Sequence, residues 1–202
     1  MKMNTKGNDY FETPMISGKP RVVIVDLDDV LFHTNPIFAR AEEMGLSGND
    51  LWQYFHKEVR KCPVNGWCRD LIMALKFSGI TPVFITARSE EIRLETGMSI
   101  VKCLNSSYFD LYMRKLGDKR PSDIVKEEIL YDKILPRYAV LFALDDDIKN
   151  CEMYAKYGIP VLHVINAEAQ PCSNVTKYSK PLAMPWVSRI AIYNKQRGFE
   201  NG

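Results

Sequence analysis

Val22-Val23-Ile24-Val25-Asp26-Leu27-Asp28-Asp29-Val30-Leu31-Phe32 is the stretch that decides how the chain is read. It opens as a run of β-branched residues, the composition of a strand buried on both faces. It ends in carboxylates that such a strand could not bury unpaired, so the acids belong at its exit. Ligands of open α/β sheets bind at strand exits, which makes Asp26 and Asp28, alternate residues at one exit, candidates for chemistry. Two carboxylates that close repel each other unless a cation lies between them or they share a proton, and a divalent metal is the simpler answer. A strand finishing in a solvated acidic turn is the alternative, and Asp-x-Asp alone does not separate the two.

Outward from this stretch, strands and helices alternate. Residues 1–20 contain Gly7, Pro14, Gly18 and Pro20 and read as a loose lead-in. After strand one (21–27), Asn35 is a plausible helix cap with Pro36 in the first turn, and Leu51, Phe55 and Val59 recur at helical spacing, with Trp52 and His56 on an adjoining face. Residues 36–61 are therefore expected to form a pair of short helices. Trp67, Leu71 and Leu75 mark a helix that stops at Gly79, and Pro82–Thr86 is a second strand leading into Ala87-Arg88-Ser89.

Ser89-Glu90-Glu91 starts the next helix, with Leu94, Met98 and Val101 expected on its inner face. Phe109–Met113 is a third strand, Pro121-Ser122-Asp123 opens a helix closed by Pro136, and Ala139–Leu144 is a fourth strand that ends in Asp145-Asp146-Asp147. Ile148, Cys151 and Ala155 mark one more helix, Gly158 stops it, and 160–165 is a fifth strand. The pattern predicts an α/β fold, a Rossmann-like doubly wound five-stranded parallel sheet with a small helical insertion after strand one. Beyond 168 prolines break the pattern, and 186–199 reads as a last short helix in a tail, 168–202, packing on the domain.

Length and composition fit one such domain: 202 residues, 46% hydrophobic and 26% charged. A net charge of +2 does not announce a nucleic-acid binder, so any such surface must be a local patch. Five widely spaced cysteines without a Cys-x-x-Cys pair argue against a disulfide framework and a zinc site, and are expected to be buried small hydrophobes in a reducing compartment. No apolar signal segment or membrane-length span stands out, which points to a cytoplasmic protein with no membrane partner. Asn174-Val175-Thr176 matches a glycosylation sequon and is read as idle in that setting.

Three strand exits thus carry polar chemistry: Asp26 and Asp28, Thr86, and Asp145 with Asp146. Lys126 lies in the first turns of a helix, where an anion is favoured. Carboxylates, a hydroxyl, a lysine and an implied Mg²⁺ describe a phosphate site: one carboxylate can attack phosphorus, and another can carry protons for the leaving group and for water. The order Asp-x-Asp-x-Val, Thr-Ala-Arg, Lys, Asp-Asp resembles the four motifs of the haloacid dehalogenase (HAD) superfamily of phosphohydrolases over about 22–165. The resemblance implies Asp26 as nucleophile, Asp28 as general acid/base, Thr86 with Ala87 and Lys126 as phosphate ligands, and Asp26, Asp28, Asp145 and Asp146 as the residues gathered at the metal. It also implies a phosphatase domain spanning 21–167.

A narrower resemblance, to the 3′-phosphatase domain of phage-type polynucleotide kinase, lies in Asp110–Arg114, Asp118-Lys119-Arg120 and Asp123–Ile129. It implies polynucleotide 3′-phosphatase activity, with Arg114, Lys119 and Arg120 holding the nucleic-acid end and Arg88 as a further substrate contact, in the host cytoplasm if phage-encoded. No kinase activity is expected, since Gly18-Lys19-Pro20 lacks the spacing and hydroxyl of a phosphate-binding loop. No obligate protein partner is inferred. Asp29 and Val30 stand where the superfamily usually has Gly and Thr, and Asp147 replaces an arginine often found after the paired aspartates. The helical pair resembles the small cap of 5′-nucleotidase-like relatives, so a nucleoside monophosphate phosphatase is the alternative. A non-catalytic binding module is a further one.

Arg88 contacts substrate or pairs with an acid such as Glu91; these readings stay open. His33, His56 and His163 read as packing residues, while Trp52 and Phe55 either pack or stack a base.

Overall fold

The computed structural model describes residues 15–16, 18–165 and 189–193. A short strand β1 (Met15–Ile16) turns back through Gly18, whose φ of 76° needs the missing Cβ, into β2 (Lys19–Val25). β2 is the central strand. Its parallel neighbours are β3 (Thr81–Ser89) on one side and β5 (Ala139–Asp145) on the other, and the sheet extends to β4 (Asp110–Arg114) and β6 (Val161–Ile165) in the order β4-β3-β2-β5-β6.

The β-branched run of β2 works as its composition demands. Val23 and Val25 enter one core with Phe84, Ile72, Ile100 and Leu104; Val22 and Ile24 enter the other with Ile85, Leu130, Met153 and Tyr154. Helices therefore cover both faces: α3 (Gly66–Phe77) and α4 (Arg93–Leu104) the first, α5 (Ser122–Ile129), its continuation as a wider turn over Leu130–Ile134, and α6 (Ile148–Lys156) the second. This is the doubly wound, five-stranded parallel α/β fold expected from the sequence.

The insertion after β2 is a helical pair, α1 (Asn35–Glu43) and α2 (Gly48–Glu58), closed by a tight turn at Val59–Lys61. Its base is pinned where Phe32 pairs with Val64 and Asn65 donates to the carbonyls of Leu31 (2.8 Å) and Val30 (2.9 Å). Ile37, Phe55 and Val59 form a third core with Ile92 and Met113, so the pair sits over the exits of β3 and β4.

Two expectations are corrected. The inner face of α4 carries Thr96, Ile100 and Leu104; Leu94, Met98 and Val101 are 71%, 46% and 40% exposed. The helix is apolar on two sides, and hydrophobic spacing alone chose the wrong one. The expected terminal helix is likewise a strand where it is described: β7 (Arg189–Tyr193) pairs antiparallel with β6, Leu162 opposite Ile192. The rest of 166–202, Cys172 included, lies outside the described residues. Cys68 and Cys151 are buried and Cys62 and Cys103 half-buried, all free. No helix among the described residues is long and apolar enough to cross a membrane.

Candidate active site

Sheet pairing brings the acids together. The Asp26 N–H donates to the Leu144 carbonyl at 2.9 Å, which sets the last residue of β2 against the end of β5 and Asp26 beside Asp145. Asp26, Asp145 and Asp146 present carboxylate oxygens that all lie within 4.8 Å of one another. Lys126, reaching in from α5, puts Nζ 2.9 Å from Asp26 Oδ1 and 2.7 Å from Asp145 Oδ2. The other Asp145 oxygen accepts from Asn150 Nδ2 (2.9 Å) and the Asp147 N–H (3.1 Å), and the Asp146 carbonyl lies 2.9 Å from His163 Nε2.

One lysine against three crowded carboxylates leaves excess negative charge in a dry place. Burial pushes the Asp26 carboxyl up to about 7; Lys126 opposes this, while Asp145 and Asp28 add to it. Asp146 is also pushed well above the carboxylate range, by burial first and then by Asp26 and Asp145. Burial works against the charge of Lys126, but Asp145 and Asp26 reverse that and hold it firmly protonated. Three hard oxygen donors with uncompensated charge fit a divalent cation such as Mg²⁺.

Asp28 does not join this cluster. Its carboxylate takes the fork of Arg88, Nη2 at 2.7 Å and Nε at 3.0 and 3.1 Å. Arg88 itself is 4% exposed, its guanidinium carbon 5.7 Å from the ring centre of Phe32 and 5.6 Å from that of Phe55. The acid partner of Arg88 is thus Asp28; Glu91 instead has His56 Nδ1 at 3.8 Å. Phe55 is buried against the guanidinium, so it has no open face for a base, whereas Trp52 is 53% exposed.

Asp29 sits at φ 55°, a backbone state that suits the Gly usual in the superfamily and that Asp tolerates better than most residues. Its Oδ1 accepts from the N–H groups of Thr34 (2.9 Å) and Asn35 (3.2 Å), which caps α1 from outside; Asn35, the expected cap, is instead the first helical residue. Asp147 caps α6 by accepting from the Lys149 N–H.

Thr86 is fully buried, and its oxygen accepts from the Arg88 N–H at 3.2 Å, leaving the hydroxyl proton free to donate. The basic residues expected to hold a nucleic-acid end behave differently from one another. Arg114 donates to the carbonyls of Ala87 (2.8 Å), Asp118 (3.4 Å) and Arg120 (2.5 Å), fastening the loop before α5 to the exit of β3. Arg120 is forked onto Asp118 and reaches Glu128 at 2.7 Å. Lys119 is exposed.

The family model of the polynucleotide kinase PNKP phosphatase domain matches residues 20–168. The chain belongs to this family. It is a PNKP-type phosphatase domain of the HAD superfamily, a group that generally uses Mg²⁺. In fold it is similar to a chain of a Pnkp1/Rnl/Hen1 RNA repair complex, with a TM-score of 0.61 at 22% identity over 79% of this chain and 47% of that one. The chain spans about half the length of the chains it matches in such complexes. A class C acid phosphatase from Bacillus anthracis with tungstate bound shares the fold at a TM-score of 0.52, with 12% identity over 65% of this chain and 54% of that one.

Sequence reasoning missed Asn150 in this PNKP-type domain. It is a buried amide, 2% exposed, that orients Asp145. Its signal was a polar residue one turn into the helix after the paired aspartates, on the side where Cys151 and Tyr154 enter the core.

Proposed function

We propose that the protein is a Mg²⁺-dependent phosphomonoesterase that removes phosphate from a polynucleotide 3′ end through an aspartyl-phosphate on Asp26. The observation that carries this reading is the Asp26 carboxylate at the β2 exit, held by Lys126 at 2.9 Å inside a cluster of acids suited to a divalent cation. Asp26 attacks phosphorus as the ester P–O bond breaks, and Asp28 delivers a proton to the departing 3′ oxygen. Asp28 then takes a proton from water, whose oxygen attacks the same phosphorus and frees Asp26 with inorganic phosphate. Thr86, the Ala87 backbone and Lys126 hold the phosphoryl oxygens. Mg²⁺, held by Asp26, Asp145 and Asp146, supplies positive charge against those oxygens.

Family membership supports the polynucleotide end as substrate, and Lys119, exposed beside Arg120, is a basic residue placed to meet it. The test is phosphate release with Mg²⁺ from a 3′-phosphorylated oligonucleotide beside 3′- and 5′-nucleoside monophosphates, with Asp26→Asn protein as blank. Strong preference for the oligonucleotide supports the proposal. Preference for mononucleotides supports the second reading, a nucleotidase with α1 and α2 as its cap, which the position of that pair over the β3 and β4 exits favours.

A further inference from the structure

One contact of the helical pair with the site falls on Arg88. The Arg88 guanidinium lies over two rings, Phe32 from the turn after β2 and Phe55 from α2, with both within cation–π range. Its Nε and Nη2 are spent on Asp28, and its Nη1 is buried without a hydrogen-bond partner. A guanidinium so placed has little hydration to hold it, so its orientation rests on the Asp28 fork and on the two ring faces. Phe32 follows directly from the strand exit and is fixed with it. Phe55 comes from the insertion, where the core of Ile37, Val59, Ile92 and Met113 seats it, with Phe38 stacked at 5.0 Å and Trp52 edge-on at 5.9 Å beside it.

We infer that Phe55 is a positioning residue, through which the helical pair fixes Arg88 and thereby the Asp28 carboxylate in reach of the phosphoryl group. The catalytic half of this rests on Asp28 being the acid/base of the proposed reaction; the geometric half does not. Leucine in place of Phe55 leaves an apolar contact but no ring face, and room for water beside the guanidinium. Phe38 belongs to the same aromatic cluster without being one of the two rings on Arg88, which makes it the control for packing alone.

The experiment compares wild type, Phe55→Leu, Phe55→Tyr and Phe38→Leu, with para-nitrophenyl phosphate and Mg²⁺ as kinetic probe. Hydrogen exchange of the Arg88 Nε–H, observed by ¹⁵N NMR and assigned with Arg88→Lys, reports the fork itself. Phe55→Leu is expected to speed exchange of that proton and lower kcat about tenfold with KM little changed, as loss of a positioning contact does. Phe55→Tyr restores both, and Phe38→Leu alters neither despite a similar loss of thermal stability. Unchanged exchange or kcat in Phe55→Leu, or equal changes in Phe38→Leu, overturns the inference. If Phe55→Leu does not fold, Phe55→Met replaces it. If wild type hydrolyses no ester, the proposed function falls and the Nε–H comparison alone decides this inference.

Discussion

Lys126 Nζ stands 2.9 Å from Asp26 Oδ1 at a point where the lysine side chain is 1% exposed. The same ammonium holds Asp145, so it is the shared counter-charge of the crowded acids. Lys126→Met removes it without changing the volume much. Phosphate release should fall at least about a hundredfold, the usual cost of losing a preorganised charge at a phosphoryl or oxyanion site. Stability should fall too, by about 3–5 kcal/mol where the abandoned carboxylates stay ionised. Because those acids can instead take up protons, urea unfolding should show a smaller loss at pH 5.5 than at pH 8.

Asp26 ties metal affinity to pH. Its folded-state pKa, raised by burial to about 7 from an ordinary 3.8, means that below about pH 7 the folded protein without metal favours the protonated acid. That contribution to stability is complete below the unfolded value and is lost as pH rises through about 7. A divalent cation needs the ionised form, so it reverses the trend and displaces a proton. The rise in melting temperature on adding Mg²⁺ should be larger at pH 8 than at pH 5.5. Titration calorimetry near pH 6.5 in buffers of different ionisation enthalpy should register proton release on Mg²⁺ binding.

The basic residues before α5 separate by role. Lys119→Glu should weaken an oligonucleotide substrate in a salt-dependent way and spare para-nitrophenyl phosphate. Arg114→Met should impair both substrates to a similar degree, because Arg114 holds the Ala87 carbonyl next to Thr86 and Arg88. Steady-state kinetics on the two substrates at two salt concentrations distinguish these outcomes.

Asp29 does two things at once, and two substitutions pull them apart. Asp29→Gly keeps the positive φ and loses the two hydrogen bonds that cap α1, at a cost of about 1 kcal/mol. Asp29→Ala loses the cap and adds the strain of a left-handed non-glycine residue, a further 1 kcal/mol or so. Urea denaturation should rank wild type above Gly and Gly above Ala.

The site's charged skeleton was legible because strand exits are read from composition. An apolar run ending in acids, β-branched at Val22–Asp26 and mixed aliphatic and aromatic at Ala139–Asp145, leaves the chain few places to put the carboxylates. Helix boundaries followed from Gly79, Pro121 and Gly158 in the same way. What linear reading could not supply was the partner of each side chain. Arg114 and Arg120 count as free positive charge in a sequence, yet the loop between them folds back and consumes both on carbonyls, Asp118 and Glu128. The fork of Arg88 on Asp28 joins residues sixty positions apart, and only the parallel pairing of β2 with β3 brings them together. The face of α4 was ambiguous because Leu94, Met98 and Val101 keep helical spacing as well as Thr96, Ile100 and Leu104 do.

The most direct test of the account is the Asp26→Asn substitution, assayed for Mg²⁺-dependent phosphate release from a 3′-phosphorylated oligonucleotide with circular dichroism confirming the fold. An amide cannot form the aspartyl-phosphate, so the rate is predicted to drop by about a thousandfold or more while the melting transition persists. A folded Asp26→Asn protein that releases phosphate within a few-fold of wild type would contradict Asp26 as nucleophile and, with it, the mechanism built on the β2 exit.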